Sequence, residues 1–193
     1  MFILKPMKNS TKHSMILRIV NESDINKALD EQIRKGLCRC FPADFEVFSN
    51  TRAWHGSAPA WSVILEEDDR VIAYCGIVDR VIKVGDEVIH IAGIQNVFVL
   101  PDYRGNGLCD MVMNKAMEEA QSRGYECGLL FCVPRLEKVY TRCGWKLLPK
   151  EKIFRIDERG QRVQLPEKNI AMFHPLSRTV FPDGIISLEG NDW

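Results

Sequence analysis

Residues 97 to 109 read Val-Phe-Val-Leu-Pro-Asp-Tyr-Arg-Gly-Asn-Gly-Leu-Cys, and their order has a chemical consequence. An apolar run ends at Pro101, which has no N–H to give a sheet ladder. A glycine-rich turn then opens onto a helix expected from about Gly107 to Arg123, with its apolar stripe on Leu108, Met111, Val112, Ala116 and Ala120. The first N–H groups of a helix have no internal acceptors and stand at the positive end of its dipole. Gly105 and Gly107 clear the approach to those donors, and Arg104 adds a charge-assisted contact. This is a turn built for a pyrophosphate, held by Arg104, Gly105, Asn106, Gly107, Leu108 and Cys109. A thiol at a helix start is biased toward thiolate, so Cys109 is expected to be reactive and to be covered when the anion binds. Two other phosphate loops do not fit. The third glycine of a dinucleotide fingerprint would fall at Asp110, and no Gly-Lys-Ser/Thr is present.

The elements that must hold this turn alternate in type. Met15 to Val20 is a β-branched run. Ile25, Leu29 and Ile33 then recur at helical spacing up to Gly36, expected to stop the helix. Residues 37–60 show no clear period and read as a long loop with a helical turn. Trp61 to Leu65, Val71 to Val84 and Glu87 to Leu100 read as strands, the last two joined by a hairpin at Gly85-Asp86. Along the third, the apolar parity set by Ile89 and Ile91 breaks at Ile94 and returns at Val97 and Val99. Gly93 at the break predicts a β-bulge that splays the strand and leaves backbone groups unpaired. A buried strand over Cys127 to Val133, a short helix over Pro134 to Arg142 and late strands at Ile153 to Ile156 and Asn169 to Phe173 complete the order. The fold class is α+β with a mixed, mostly antiparallel sheet flanked by helices. One domain is expected over residues 15–193, after a flexible segment over 1–14.

Composition narrows the function. The chain has 193 residues, 46% of them hydrophobic, which suffices for a full core. Twenty-six basic residues balance 26 acidic ones, so the basic excess of a nucleic-acid binder is absent. No apolar run approaches a membrane span, and the opening residues turn polar too early for a signal peptide. Seven cysteines without a CxxC pair, and four scattered histidines, predict a reduced cytoplasmic protein without structural metal.

Taken with its strand, the glycine turn resembles the central motif of the GCN5-related N-acetyltransferase (GNAT) superfamily, V-x-V-x-P-x-x-R-G-x-G-x-(G/A). Val97, Val99, Pro101, Arg104, Gly105 and Gly107 match it, and Cys109 stands at the final Gly/Ala. Tyr140, Gly144 and Trp145 resemble the later Y-x-x-x-G-F/W element. Thr51 to Pro59 and Arg80 to Val88 are similar to stretches of the nodulation acyltransferases of the NodA kind. Phe41, Asp44, Phe45 and the Trp-terminated tail are similar to aminoglycoside 2′-N-acetyltransferases.

The resemblance implies acetyl-CoA as cosubstrate, without metal, and a primary amine on a small molecule, such as an aminosugar, as acceptor. It places the pantetheine and acyl carbonyl against the backbone of Val97, Phe98 and Val99, in a splay beside the bulged strand. It makes Tyr140 the acid that protonates the departing thiolate. Where many members carry a glutamate base this chain has Gln95, followed by Asn96, and neither amide accepts a proton. Both are expected beside the acceptor, and the base is left to a held water, His90 or a carboxylate from elsewhere. The Trp193 carboxylate is one candidate, carried into place if Ile185 to Leu188 docks as a strand. Asp44 and Asp192 are expected to hold the cationic acceptor. A longer-chain N-acyltransferase, a non-catalytic acyl-CoA sensor and a homodimer stay open.

Overall fold

The computed structural model describes residues 14–148, 153–157, 159–165 and 168–193. The flexible segment expected over 1–14 falls, apart from Ser14, outside the described residues. Strand β1 (Met15–Asn21) pairs antiparallel with β2 (Trp61–Glu67), β2 with β3 (Arg70–Val84), and β3 with β4 (Glu87–Val99). β5 (Cys127–Cys132) lies parallel to β4, and β9 (Ile170–Pro175) returns antiparallel to β5 with the short β6 (Lys146–Leu147) on its edge. β3 is long enough to serve two neighbours: past β2 its far end pairs with β10 (Ile186–Ser187). β10 runs parallel to β7 (Ile153–Ile156), whose other edge takes β8 (Arg162–Gln164). This is the expected α+β architecture.

Helices α1 (Lys27–Cys40) and α3 (Leu108–Ser122) cover one face, with the single-turn helices α2 (Phe45–Phe48) and α4 (Glu137–Thr141) beside them. Asn26 caps α1 by accepting from the Leu29 amide at 2.9 Å, and Leu29, Ile33 and Leu37 form its buried stripe. Gly36 does not end this helix. It lies inside it because the Phe98 ring occupies the place a Cβ would take. The close approach of helix to strand, and not a C-cap, is what this glycine serves. The loop expected from residue 37 therefore begins later, after Cys40, and includes the turn Pro42–Asp44 and α2. In α3 the stripe includes Met113 and Met117, while Met111 is exposed. No helix among the described residues is long and apolar enough to cross a membrane.

The bulge exists, but not at Gly93. Gly93 pairs regularly with Val78 and Leu129. The register slips three residues later: Tyr74 faces Phe98 and Gly76 faces Gln95, so Asn96 and Val97 together oppose Cys75. Asn96 takes the left-handed conformation there, at φ +56°. Ile94 packs with Phe98 under the helices, whereas Ile91 packs with Leu188 and Trp193 on the opposite face. A strand covered on both sides carries apolar residues at both parities, so a parity break does not locate its bulge. Gly93 instead admits the Trp193 indole: a Cβ there would stand 2.5 Å from Cε2. Gly93→Ala is expected to cost about 1–3 kcal/mol by overpacking. That loss would appear as a Tm lower by about 2–12 °C, given about 2–4 °C per kcal/mol for a chain of this size. An unchanged Tm would mean that the tail is not seated there.

Candidate active site

The β4–β5 ladder runs from Ile91 opposite Cys127 to Ile94 opposite Leu130 and then stops, although β4 continues to Val99 and β5 to Cys132. A fork opens where the bulge turns β4 away. On the helical face a cleft of about 580 Å³ runs from the fork to the start of α3. Val97, Phe98 and Val99 line one wall, and Arg104, Gly105, Gly107, Leu108 and Cys109 line its end. Gly105 and Gly107 have φ of +83° and +72°, the left-handed region where a side chain is strained. No atom stands within 4 Å of a Cβ added at either, so the amides at the helix start are open to an anion. Arg104 donates from Nε to the Val99 carbonyl at 3.1 Å, which fixes the guanidinium at the strand end. Asn106 does not line the cleft; its Nδ2 donates to the Tyr103 carbonyl at 3.1 Å and braces the turn from behind.

Two further cations line the cleft from the opposite wall, Arg135 just before α4 and Arg142 just after it. Sequence reasoning missed both. Their signal is the position either side of Tyr140 on one short helical element. Arg142 Nη2 pairs with Asp110 at 3.2 Å.

Tyr140 lies on the same wall, buried, with its ring edge-on to Trp145 at 6.4 Å. Its hydroxyl has no hydrogen-bond partner among the described residues. Burial pushes the phenol above its usual range, and the neighbouring thiols push the same way. Cys109 departs from expectation. Burial raises its thiol and nearby Asp110 raises it further, against a smaller lowering by Arg142. Peptide mapping should show slow iodoacetamide labelling of Cys109 at pH 7.5, quickening above pH 9. Saturating acetyl-CoA should slow it further; labelling indifferent to acetyl-CoA would remove the cosubstrate from this turn.

The other face of the fork is built by residues far apart in sequence. Gln95 is buried and fully engaged: its Oε1 accepts from the Trp54 amide at 3.3 Å and its Nε2 donates to the Ser57 carbonyl at 2.8 Å. Asn96 Nδ2 donates to the Arg52 carbonyl at 2.7 Å. Both amides fasten the 52–57 segment to the bulge, so the atoms expected to meet the acceptor are engaged within the protein. Asp44 ends the turn before α2, is half-buried and lines no part of the cleft. His90 packs on Tyr125 and pairs with Asp79 at 2.5 Å, opposite Val81 and below the ladder that precedes the fork.

The tail is docked. β10 pairs as a strand, and Trp193 packs on Gly93 and on Phe131 at 5.3 Å. Asp192 is only 6% exposed, and its carboxylate meets His55 Nδ1 at 2.7 Å and Arg155 Nη1 at 3.4 Å. It is therefore not a bare anion awaiting an ammonium. His55 was not singled out in the sequence; its partner lies 137 positions away, and no local spacing relates the two.

A family model described as an acetyltransferase (GNAT) domain matches residues 18–148. An aminoglycoside 2′-N-acetyltransferase from Mycolicibacterium fortuitum is 24% identical over 140 residues, covering 72% of this chain and 68% of that protein. Among solved structures, the GNAT family N-acetyltransferase YhbS from Escherichia coli, in complex with CoA, matches with a TM-score of 0.66 and 18% identity. It covers 95% of this chain and 94% of that one. A GNAT family acetyltransferase from Brucella melitensis, in complex with acetyl-CoA, gives 0.57 and 18%, with 92% and 97% covered. Two further matched chains are longer, and this chain spans 33% of one and 32% of the other.

Proposed function

This chain belongs to the GNAT acetyltransferase family, and on that premise we propose that it transfers an acetyl group from acetyl-CoA to a primary amine of a small aminosugar-like molecule. The observation that carries the reading is the fork between β4 and β5, joined on one face to a cationic cleft at a helix start. In this reading the open amides of Gly105 and Gly107, with Arg104, hold the pyrophosphate, and Arg135 and Arg142 add positive charge from the other wall. The unpaired edge of β4 past Ile94 supplies donors and acceptors for the pantetheine and the acyl carbonyl.

Tyr140 faces the developing thiolate. Because its phenol is raised, it stays protonated at neutral pH and acts as a hydrogen-bond donor to that sulfur. The acceptor enters from the opposite face, where Asp192 and the tail lie. The similarity to an aminoglycoside 2′-N-acetyltransferase supports an aminosugar over a protein amine.

The test is CoA release from acetyl-CoA with a panel of primary amines that includes glucosamine, neomycin, spermidine and a lysine peptide. Amine-dependent release that is strongest with the aminosugars supports the proposal. Release only with the peptide would move the acceptor class, and acetyl-CoA binding without any turnover would make the chain a sensor.

A further inference from the structure

We infer that His55, oriented by Asp192, is the general base that deprotonates the acceptor amine, an inference that rests on the acetyl-transfer reading above. The reaction leaves this role vacant, since Gln95 cannot accept a proton and both ends of its amide are engaged. The first support is position. Gly93 and Gln95 are two residues apart and project to the same sheet face. Trp193 is seated on Gly93, and the loop carrying His55 is fastened to Gln95 at both ends, through the Trp54 amide and the Ser57 carbonyl. Asp192 precedes the seated tryptophan and reaches back to His55. The pair is thereby bracketed by two anchors at the root of the fork, on the face opposite the acetyl-CoA cleft.

The second support is chemistry. An ionised carboxylate only accepts, so across the 2.7 Å contact a neutral His55 ring carries its proton on Nδ1 and its lone pair on Nε2. Nε2 has no partner among the described residues, and His55 is 39% exposed on its side chain whereas Asp192 is 8% exposed. An accessible imidazole on a buried carboxylate is the arrangement a base requires. The third is backbone cost. His55 holds φ +45°, uncommon for a residue with a side chain. The Asn191 amide donates to its carbonyl at 2.8 Å and secures that conformation.

In the step, Nε2 takes a proton from the neutral attacking amine as the nitrogen lone pair forms the C–N bond. The C–S bond breaks, and the sulfur leaves with the electron pair, hydrogen-bonded by Tyr140, and is protonated from solvent. The imidazolium, stabilised by Asp192, returns its proton to water. Asp192 is a positioning residue.

His55→Asn keeps a donor toward Asp192 and tolerates the left-handed backbone but has no basic nitrogen. With the best amine of the panel, kcat/KM should fall by about 10²- to 10⁴-fold, with Tm and acetyl-CoA affinity held. The second dyad, His90 with Asp79, is the control: His90→Asn should leave the rate unchanged. Nitrogen-15 NMR of the wild type should find the neutral His55 ring protonated on Nδ1, and Asp192→Asn should lose that preference. The charged groups beside the pair are Arg155, on Asp192, and Arg80, which reaches the Ser57 hydroxyl and the tail carbonyls. Equal kcat/KM in wild type and His55→Asn, or a neutral ring protonated on Nε2, overturns the inference while leaving the enzyme reading standing. If the wild type turns over no amine, the enzyme reading falls and this one with it.

Discussion

Tyr140→Phe is expected to lower kcat by roughly ten- to a thousandfold while acetyl-CoA affinity stays within about twofold. The substitution removes one oxygen that bonds no described residue, so the ring keeps its edge-on contact with Trp145 and its place in the cleft wall. What is lost is a donor needed only as sulfur gains charge, and interactions made only in the transition state appear in kcat and not in binding. Burial raises the phenol, so proton transfer from it to a thiolate, whose acid has a pKa of about 8.5, runs uphill. The effect should thus be that of a lost hydrogen bond, nearer the loss of one oxyanion donor than of a strong acid. The comparison requires a rate limited by chemistry, shown by insensitivity to viscosity. An unchanged kcat under that condition would take Tyr140 out of the mechanism.

Gly105→Asp should weaken acetyl-CoA binding by about 30-fold, measured by isothermal titration. Two effects separate, the first on stability and the second on binding. At φ +83° any side chain is strained by about 1 kcal/mol, which Gly105→Ala isolates. The carboxylate then adds repulsion toward a pyrophosphate. Two charges 4 Å apart interact by about 4 kcal/mol near a protein surface, and about half of that survives on an open turn. About 2 kcal/mol is the 30-fold loss. Because nothing lies within 4 Å of the added Cβ, the variant should fold normally. Its Tm in the absence of ligand checks this. Equal affinity in Gly105→Asp and Gly105→Ala would mean that no phosphate approaches the turn.

The donor side of the site was legible in the sequence because it is local. Val97, Val99, Pro101, Arg104, Gly105 and Gly107 lie within eleven positions, and a strand, a turn and a helix start follow from their types alone. The element order was legible for the same reason, since each strand and helix carries its own period and its own stop. Two of the errors were at Gly36 and Gly93. Both glycines were read by local rules as a cap and a bulge, but each makes room for an aromatic ring, Phe98 and Trp193, that arrives from elsewhere in the chain. No local pattern records a close approach.

The acceptor side was decided by tertiary structure alone. Gln95 looked available until the 52–57 loop closed on it, and Asp192 looked like a free anion until His55 and Arg155 met it. His55 stayed unnoticed because its partner comes from the last strand's extension, 137 residues on. The sequence by itself determined a turn whose amides stand open, because a helix start and two glycines provide them with backbone they already own. The pairing of His55 with Asp192 was set only when the tail crossed Gly93, because it depends on a distance between segments that folding alone brings together.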